Sequence, residues 1–256
     1  MSTARALVLR APGTNCDLET AFAFEQAGAS VSLVHIGALI NGKERLDDYR
    51  ILAVPGGFTY GDDLGAGRVL ANELRLKLGA ALKKFTENGG LIIGICNGFQ
   101  VLTKMGVLPG HMAGGQSGLT LTNNDSGRFE CHWVYLKAEP QSPCVFTRDI
   151  ERLYLPVAHG EGKLAAEPDV LYRLKATLYY TDAVGNTGAG YPHNPNGSLK
   201  DIASISDDSG RIFGLMPHPE RFTRADQHPR WTGGSITGRG DGYKIFSNAV
   251  EWVKGL

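Results

Sequence analysis

The segment Leu91-Ile92-Ile93-Gly94-Ile95-Cys96-Asn97-Gly98-Phe99-Gln100 sets a cysteine between two glycines at the end of an apolar run. A strand that ends in Gly-x-Cys-x-Gly and turns directly into a helix has the layout of a nucleophile elbow, which lifts one reactive side chain above a sheet. A thiol attacks as its thiolate, and a helix N-terminus and a nearby imidazolium both favour that form. A helix beginning near Asn97 would aim its free N–H groups at Cys96. Gly94 and Gly98 remove side chains that would crowd the turn. The competing reading is a buried, inert thiol. The strand, the glycines and the helix together favour a nucleophile that forms a covalent intermediate.

Such a thiol needs a base, and the base needs an orienting group. Two of the seven histidines stand in His-x-Glu patterns, His159-Gly160-Glu161 and His218-Pro219-Glu220. In an extended or turn segment, positions i and i+2 can aim at the same side, so either carboxylate could hold its imidazole. His218 follows an apolar strand and is stiffened by Pro217 and Pro219, and this rigidity favours it as the base. His159, followed by Gly160 and Gly162, reads as part of a mobile loop that contacts substrate or a partner. His132, His193 and His228 read as solvated or structural. A developing oxyanion needs N–H donors that no side chain obstructs. The N–H of Asn97 is one candidate. Gly56 and Gly57, in Pro55-Gly56-Gly57-Phe58, offer the other, although that segment alone also suits an ordinary tight turn.

The elements that must position these groups alternate through the first hundred residues. Strands are predicted at 6–10, 31–36, 51–54 and 91–95, and helices at 17–27 and 69–87. Short apolar strands separated by helices imply a parallel sheet covered on both faces, with functional loops at the strands' carboxyl ends. The second half is richer in strands, predicted at 129–138, 171–181, 202–206 and 212–216. An amphipathic helix over 243–254 closes the chain, with Ile245, Phe246, Ala249, Val250 and Val253 on one face. No repeat or long linker divides the sequence, so residues 1–256 read as one domain.

Composition excludes several classes. The 26 basic and 26 acidic residues balance, which implies neither a nucleic-acid nor an acidic-membrane partner. No apolar run approaches the ~20 residues of a membrane span. Cysteines at 16, 96, 131 and 144 form no Cys-x-x-Cys pair, so neither a zinc site nor a disulfide framework is signalled, and a reducing cytoplasm fits. The stretch 233–240 has the glycine spacing of a phosphate loop but lacks the Lys-Ser/Thr and the preceding strand.

Taken together, Gly94 to Gln100 and the late Pro217-His218-Pro219-Glu220 resemble a class I (triad) glutamine amidotransferase. Further segments resemble, more narrowly, the glutaminase component of phosphoribosylformylglycinamidine (FGAM) synthases. They are Pro12-Gly13-Thr14-Asn15-Cys16-Asp17, Pro55 to Asp62, His159-Gly160-Glu161-Gly162, Asn194-Pro195-Asn196-Gly197-Ser198 and Met216 to Arg221. The resemblance implies an α/β fold of the class I glutamine amidotransferase type, with a central mostly parallel sheet flanked by helices and added antiparallel strands in the second half. It also implies hydrolysis of L-glutamine through a thioester on Cys96, with His218 as base and Glu220 as orienting carboxylate. Gly56 and Gly57 with Asn97 would form the oxyanion site, and Gln100 would contact glutamine. No cofactor or metal is implied in this chain. ATP and Mg2+ would belong to a partner synthetase subunit, with a small accessory subunit as a further partner. The long segment 222–242 is similar to the end of the glutaminase domain in single-chain synthases, and its glycine-rich stretch 233–240 reads as cover for the synthase interface. The alternatives are another cysteine-triad enzyme, such as a peptidase or different amidotransferase, and a non-catalytic regulatory module.

Overall fold

The computed structural model describes residues 4–110, 118–234 and 237–255, so residues 235 and 236 of the glycine-rich stretch lie outside them. The first half is built as its hydrophobic pattern dictates. Strand β1 (Arg5–Arg10) is followed by helix α1 (Asp17–Gln26), β2 (Ser30–His35), the short α2 (Ile36–Ile40), β3 (Ile51–Val54), α3 (Arg68–Glu87), β4 (Leu91–Ile95) and α4 (Asn97–Lys104). Strands β3 and β4 are buried at every position, as strands covered on both faces must be. Helix α3 turns Leu70, Leu74, Leu78, Leu82 and Phe85 inward at helical spacing.

The second half contributes β5 (Leu119–Thr122), β6 (Glu130–Ala138), β7 (Arg152–His159), β8 (Lys163–Ala166), α5 (Pro168–Arg173), β9 (Lys175–Thr181), β10 (Ile202–Ser206), β11 (Ile212–Leu215) and α6 (Tyr243–Lys254). Nine strands form one sheet in the order β2-β1-β3-β4-β11-β10-β9-β6-β7. From β2 to β11 the pairings are parallel, and from β11 to β7 they are antiparallel. Strands β5 and β8 pair separately. The strand β11 that leads to His218 therefore lies directly beside the strand β4 that leads to Cys96, in parallel register, with Leu215 opposite Ile95. Both chains leave the sheet at the same end.

Two expectations need correction. The predicted strand at 171–181 begins as α5, and β9 starts only at Lys175. Pro168 at the first helical turn starts α5. Strand β7 was not predicted at all, because Pro156 interrupts its run. Proline is tolerated there because β7 is the sheet's edge. The alternation that marks a half-buried strand is present nonetheless: Leu153, Leu155, Val157 and His159 all point inward. Helix α6 buries the five apolar residues expected of it, and Phe246 meets Phe24 of α1 edge-on at 4.9 Å.

Candidate active site

Cys96 sits at the sharp turn between β4 and α4 with φ 51°, a strained conformation for a residue with a side chain. The flanking glycines explain how the turn closes. A Cβ on Gly94 would stand 2.6 Å from the Gly98 carbonyl oxygen, and one on Gly98 would fall on the Val54 carbonyl oxygen. Strand, turn and helix therefore pack backbone against backbone. Cys96 is 6% exposed, and its Sγ lies 3.6 Å from the Ala158 carbonyl oxygen of β7.

His218 and Glu220 follow β11 in a short 3-10 turn. Their side chains are buried, and Nδ1 of His218 meets Oε1 of Glu220 at 2.5 Å. The His218 backbone N–H donates to the Pro156 carbonyl of β7 at 2.8 Å, which fixes the turn against the sheet edge. Burial disfavours a charged imidazole, but the Glu220 carboxylate and the Cys96 sulfur outweigh it. The His218 pKa is raised well above its ordinary value. Hydrogen bonding of the ring to the Cys16 and Cys96 sulfurs adds to the preference for the charged form.

The Pro55-Gly56-Gly57-Phe58 segment leaves β3 beside the elbow. It is clamped by residues 12–17: Asn15 N and Cys16 N both donate to the Gly56 carbonyl, Phe58 N donates to Gly13 O at 2.9 Å, and Tyr60 N donates to Pro12 O at 2.8 Å. Gly57 has φ 147°, which L side chains rarely adopt, and a Cβ there would stand 2.7 Å from Gly13 O. The Phe58 N–H is thus occupied, whereas those of Gly57 and Asn97 make no hydrogen bond within the described residues. A small cavity of about 130 Å³ opens at Cys96, lined by Gly57, Phe58, Asp62, Gln100, Phe129 and residues 158–161.

Gln100 lines that cavity, yet both polar ends of its side chain are taken by protein. Nε2 donates to Glu161 O at 2.6 Å and Oε1 accepts from Asn97 Nδ2 at 2.9 Å. Asn97 Nδ2 also donates to Asp62, and its Oδ1 accepts from Thr59.

The structure corrects the loop reading of His159. It ends β7, is 3% exposed and belongs to a buried polar network. Asn124 Oδ1 meets His159 Nδ1 at 3.1 Å and accepts from Gly162 N, while Asn124 Nδ2 donates to the carbonyls of His159 and Arg128. Asn196 approaches Nε2 from the other side at 3.4 Å. Burial, and then repulsion from charged His218, push the His159 pKa down to about 3. Glu161 is half-buried and does not pair with it. Cys16, Asp62, Asn124 and Asn196 had no assigned role from sequence. Cys16, Asp62 and Asn196 lie inside segments that carry the family resemblance, but only the fold brings them to the site.

The sequence matches the CobB/CobQ-like glutamine amidotransferase domain over residues 3–253. The chain belongs to this glutamine amidotransferase family. Among its relatives, phosphoribosylformylglycinamidine synthase subunit PurQ of Dehalococcoides mccartyi is 60% identical, with 99% of each chain covered. The PurQ of Methanococcus maripaludis is 43% identical over 97% of each. A chain of the PurLQS structure from Thermotoga maritima superposes with a TM-score of 0.76 at 35% identity, covering 98% of this amidotransferase and 100% of that chain. The amidotransferase fold predicted from sequence is therefore the fold found.

Proposed function

We propose that this amidotransferase is the glutaminase subunit of phosphoribosylformylglycinamidine synthase. The observation that carries the reading is the buried His218–Glu220 pair delivered beside the elbow cysteine by adjacent parallel strands. Full-length similarity to PurQ proteins supplies the substrate class.

The raised pKa of His218 favours an imidazolium beside a Cys96 thiolate. The thiolate attacks the side-chain amide carbon of glutamine, and the carbonyl electrons move onto oxygen. The Gly57 and Asn97 N–H groups, free of other partners, stabilise that oxyanion, and Gly56 keeps their approach open. Removing one such donor costs about 2.7–4 kcal/mol of barrier in other enzymes. As the C–N bond breaks, Nε2–H of His218 gives its proton to the departing ammonia. A γ-glutamyl thioester remains on Cys96. Neutral His218 then takes a proton from water, which attacks the thioester and releases glutamate and the thiolate. Glu220 holds Nδ1–H throughout and stabilises the charged ring. Gln100 acts from the cavity wall by tying Glu161 to α4. The carboxylates of Asp62 and Glu161 at the cavity suit the α-ammonium of glutamine.

Ammonia passes to a partner synthetase subunit that holds ATP and Mg2+ and makes FGAM from formylglycinamide ribonucleotide, with a small accessory subunit completing the assembly. PurLQS is the supporting precedent. Four free cysteines support a cytoplasmic setting. Among the described residues no helix is long and apolar enough to cross a membrane.

The test is reconstitution with the synthetase partner. Cys96→Ala should abolish glutamine-dependent FGAM formation and leave ammonia-dependent formation intact. Glutamine-dependent turnover by that variant would overturn the assignment. Glutaminase turnover by the chain alone should be low and rise on assembly.

A further inference from the structure

Cys16 is a buried thiol to which the glutamine reaction gives no chemical step, yet its polar groups are all engaged at the site. Its backbone N–H donates to the Gly56 carbonyl at 3.2 Å, and its carbonyl accepts from Thr20 N at 3.1 Å and Thr20 Oγ1 at 2.6 Å. These bonds tie it to the oxyanion segment on one side and to α1 on the other. The thiol donates to Asn15 Oδ1 at 3.2 Å, and the sulfur accepts from Arg221 Nη2 at 3.0 Å. Sγ of Cys16, a ring nitrogen of His218 and a carboxylate oxygen of Glu220 all lie within 4.8 Å of one another. A Cβ on Gly56 would stand 2.9 Å from His218 Cε1 and 3.1 Å from Cys16 Sγ, so ring and sulfur close on the same glycine. Because Nδ1 of His218 is given to Glu220, the ring meets the Cys16 and Cys96 sulfurs through Nε2.

We propose that Cys16 is a positioning residue for the base: its sulfur accepts from Nε2–H of His218 and holds the charged ring in line between Glu220 and Cys96. The proposal rests on the roles given above to Cys96 and His218. The ring is pinned at both nitrogens, and the Cys16 N–H sets it in register with the Gly56-Gly57 segment that receives the oxyanion. Reacting groups must be held to within about 0.5 Å of the productive geometry. A thiol suits the task, because its sulfur is a weak acceptor. It orients Nε2–H without withholding the proton from the departing ammonia. Its own proton stays directed at Asn15, so Cys16 neither gains nor loses one. The groups that face His218 are Glu220 from its own turn, Cys96 from the elbow, Cys16 from the segment before α1 and His159 from β7, with Arg221 at 3.9 Å from Glu220. Glu220, Cys96 and Cys16 favour the charged ring, burial opposes it, and His159 stays neutral. Removing the Cys16 acceptor therefore lets the ring lose its proton at a lower pH.

The pH profile of Cys16→Ala in the complex with the synthetase partner tests this role. The thiolate–imidazolium pair fails when His218 loses its proton. The alkaline limb of kcat/KM for glutamine should therefore move to lower pH by about one unit, the scale of one lost charge-assisted hydrogen bond. Cys16→Ser, whose hydroxyl can accept the same bond, should return the limb toward its wild-type position. Cys16→Val, which fills the space without an acceptor, serves if the alanine variant does not fold. A purely packing role would lower activity and leave the limb in place. An unmoved limb in Cys16→Ala would overturn the proposal, and so would a serine variant shifted as far as the alanine one. NMR titration of the His218 imidazole in the full chain reads the same shift without turnover. A ring that titrates at the same pH in wild type and Cys16→Ala refutes the role whether or not the chain is a glutaminase, so the two failures are distinguishable.

Discussion

The two His-x-Glu segments are nearly identical as sequence and opposite as chemistry. His218 and Glu220 are a buried ion pair in which the carboxylate keeps the imidazole charged. His159 is equally buried, but its neighbours are two asparagines and a charged histidine, so it stays neutral. Position explains the contrast. His218 and Glu220 share a short turn that folds both side chains inward, whereas Glu161 does not pair with His159 and lines the cavity instead. A pattern of residue types thus specifies a catalytic pair only when the local backbone closes it.

The largest effect that could break this comparison is on the base. His218→Ala should slow thioester formation about 10²–10⁴-fold, measured by quench trapping in the assembled complex, while His159→Ala should leave measurable thioester. Equal losses would erase the distinction. Glu220→Gln should cost about 100-fold in kcat, because the ring loses the charge that stabilises its protonated form. In Glu161→Gln, steady-state kinetics should show the change in KM for glutamine rather than in kcat.

The polar network gives a stability effect. Asn124→Ala leaves the His159 and Gly162 groups unsatisfied and should lower unfolding free energy by about 1–3 kcal/mol, read by denaturant melts. The pH dependence is a further effect, in which the two histidines have opposite signs. An unfolded histidine binds its proton near pH 6.5, and folded His159 does so only near 3. The unfolded state therefore holds the extra proton between those values, and stability falls as pH drops through that window. His159→Gln should flatten this acid limb. His218 has a raised folded pKa, so its stabilisation is full below pH 6.5 and is lost as pH climbs through the folded value. An acid limb unchanged in His159→Gln would refute the neutral assignment.

Much of this was legible in the residues. The elbow could be read because strand, glycines and helix are contiguous, and His218 because prolines stiffen the end of an apolar strand. Strand β7 escaped because a proline there argues against a strand unless its place at the sheet edge is known, and order within a sheet is not written locally. For the same reason His159 read as a loop residue despite the alternation of Leu153, Leu155 and Val157. Cys16 meets His218 only through the fold, because the two stand far apart in sequence. At the start of the segment that follows Glu220, Phe222 is buried, and His228 sits against Trp133 of β6, Tyr154 of β7 and Phe222.

That packing bears on solubility. An exposed sheet edge invites strands of other molecules to pair with it. On β7 the Pro156 carbonyl is capped by His218 N–H, the Tyr154 N–H by the Asp241 carboxylate at 2.7 Å, and Pro156 offers no N–H. The groups that guard this edge against self-association also anchor the base. Damage that frees the 222–242 segment should therefore bring aggregation and loss of turnover together, and screening for soluble variants would also select for an intact triad.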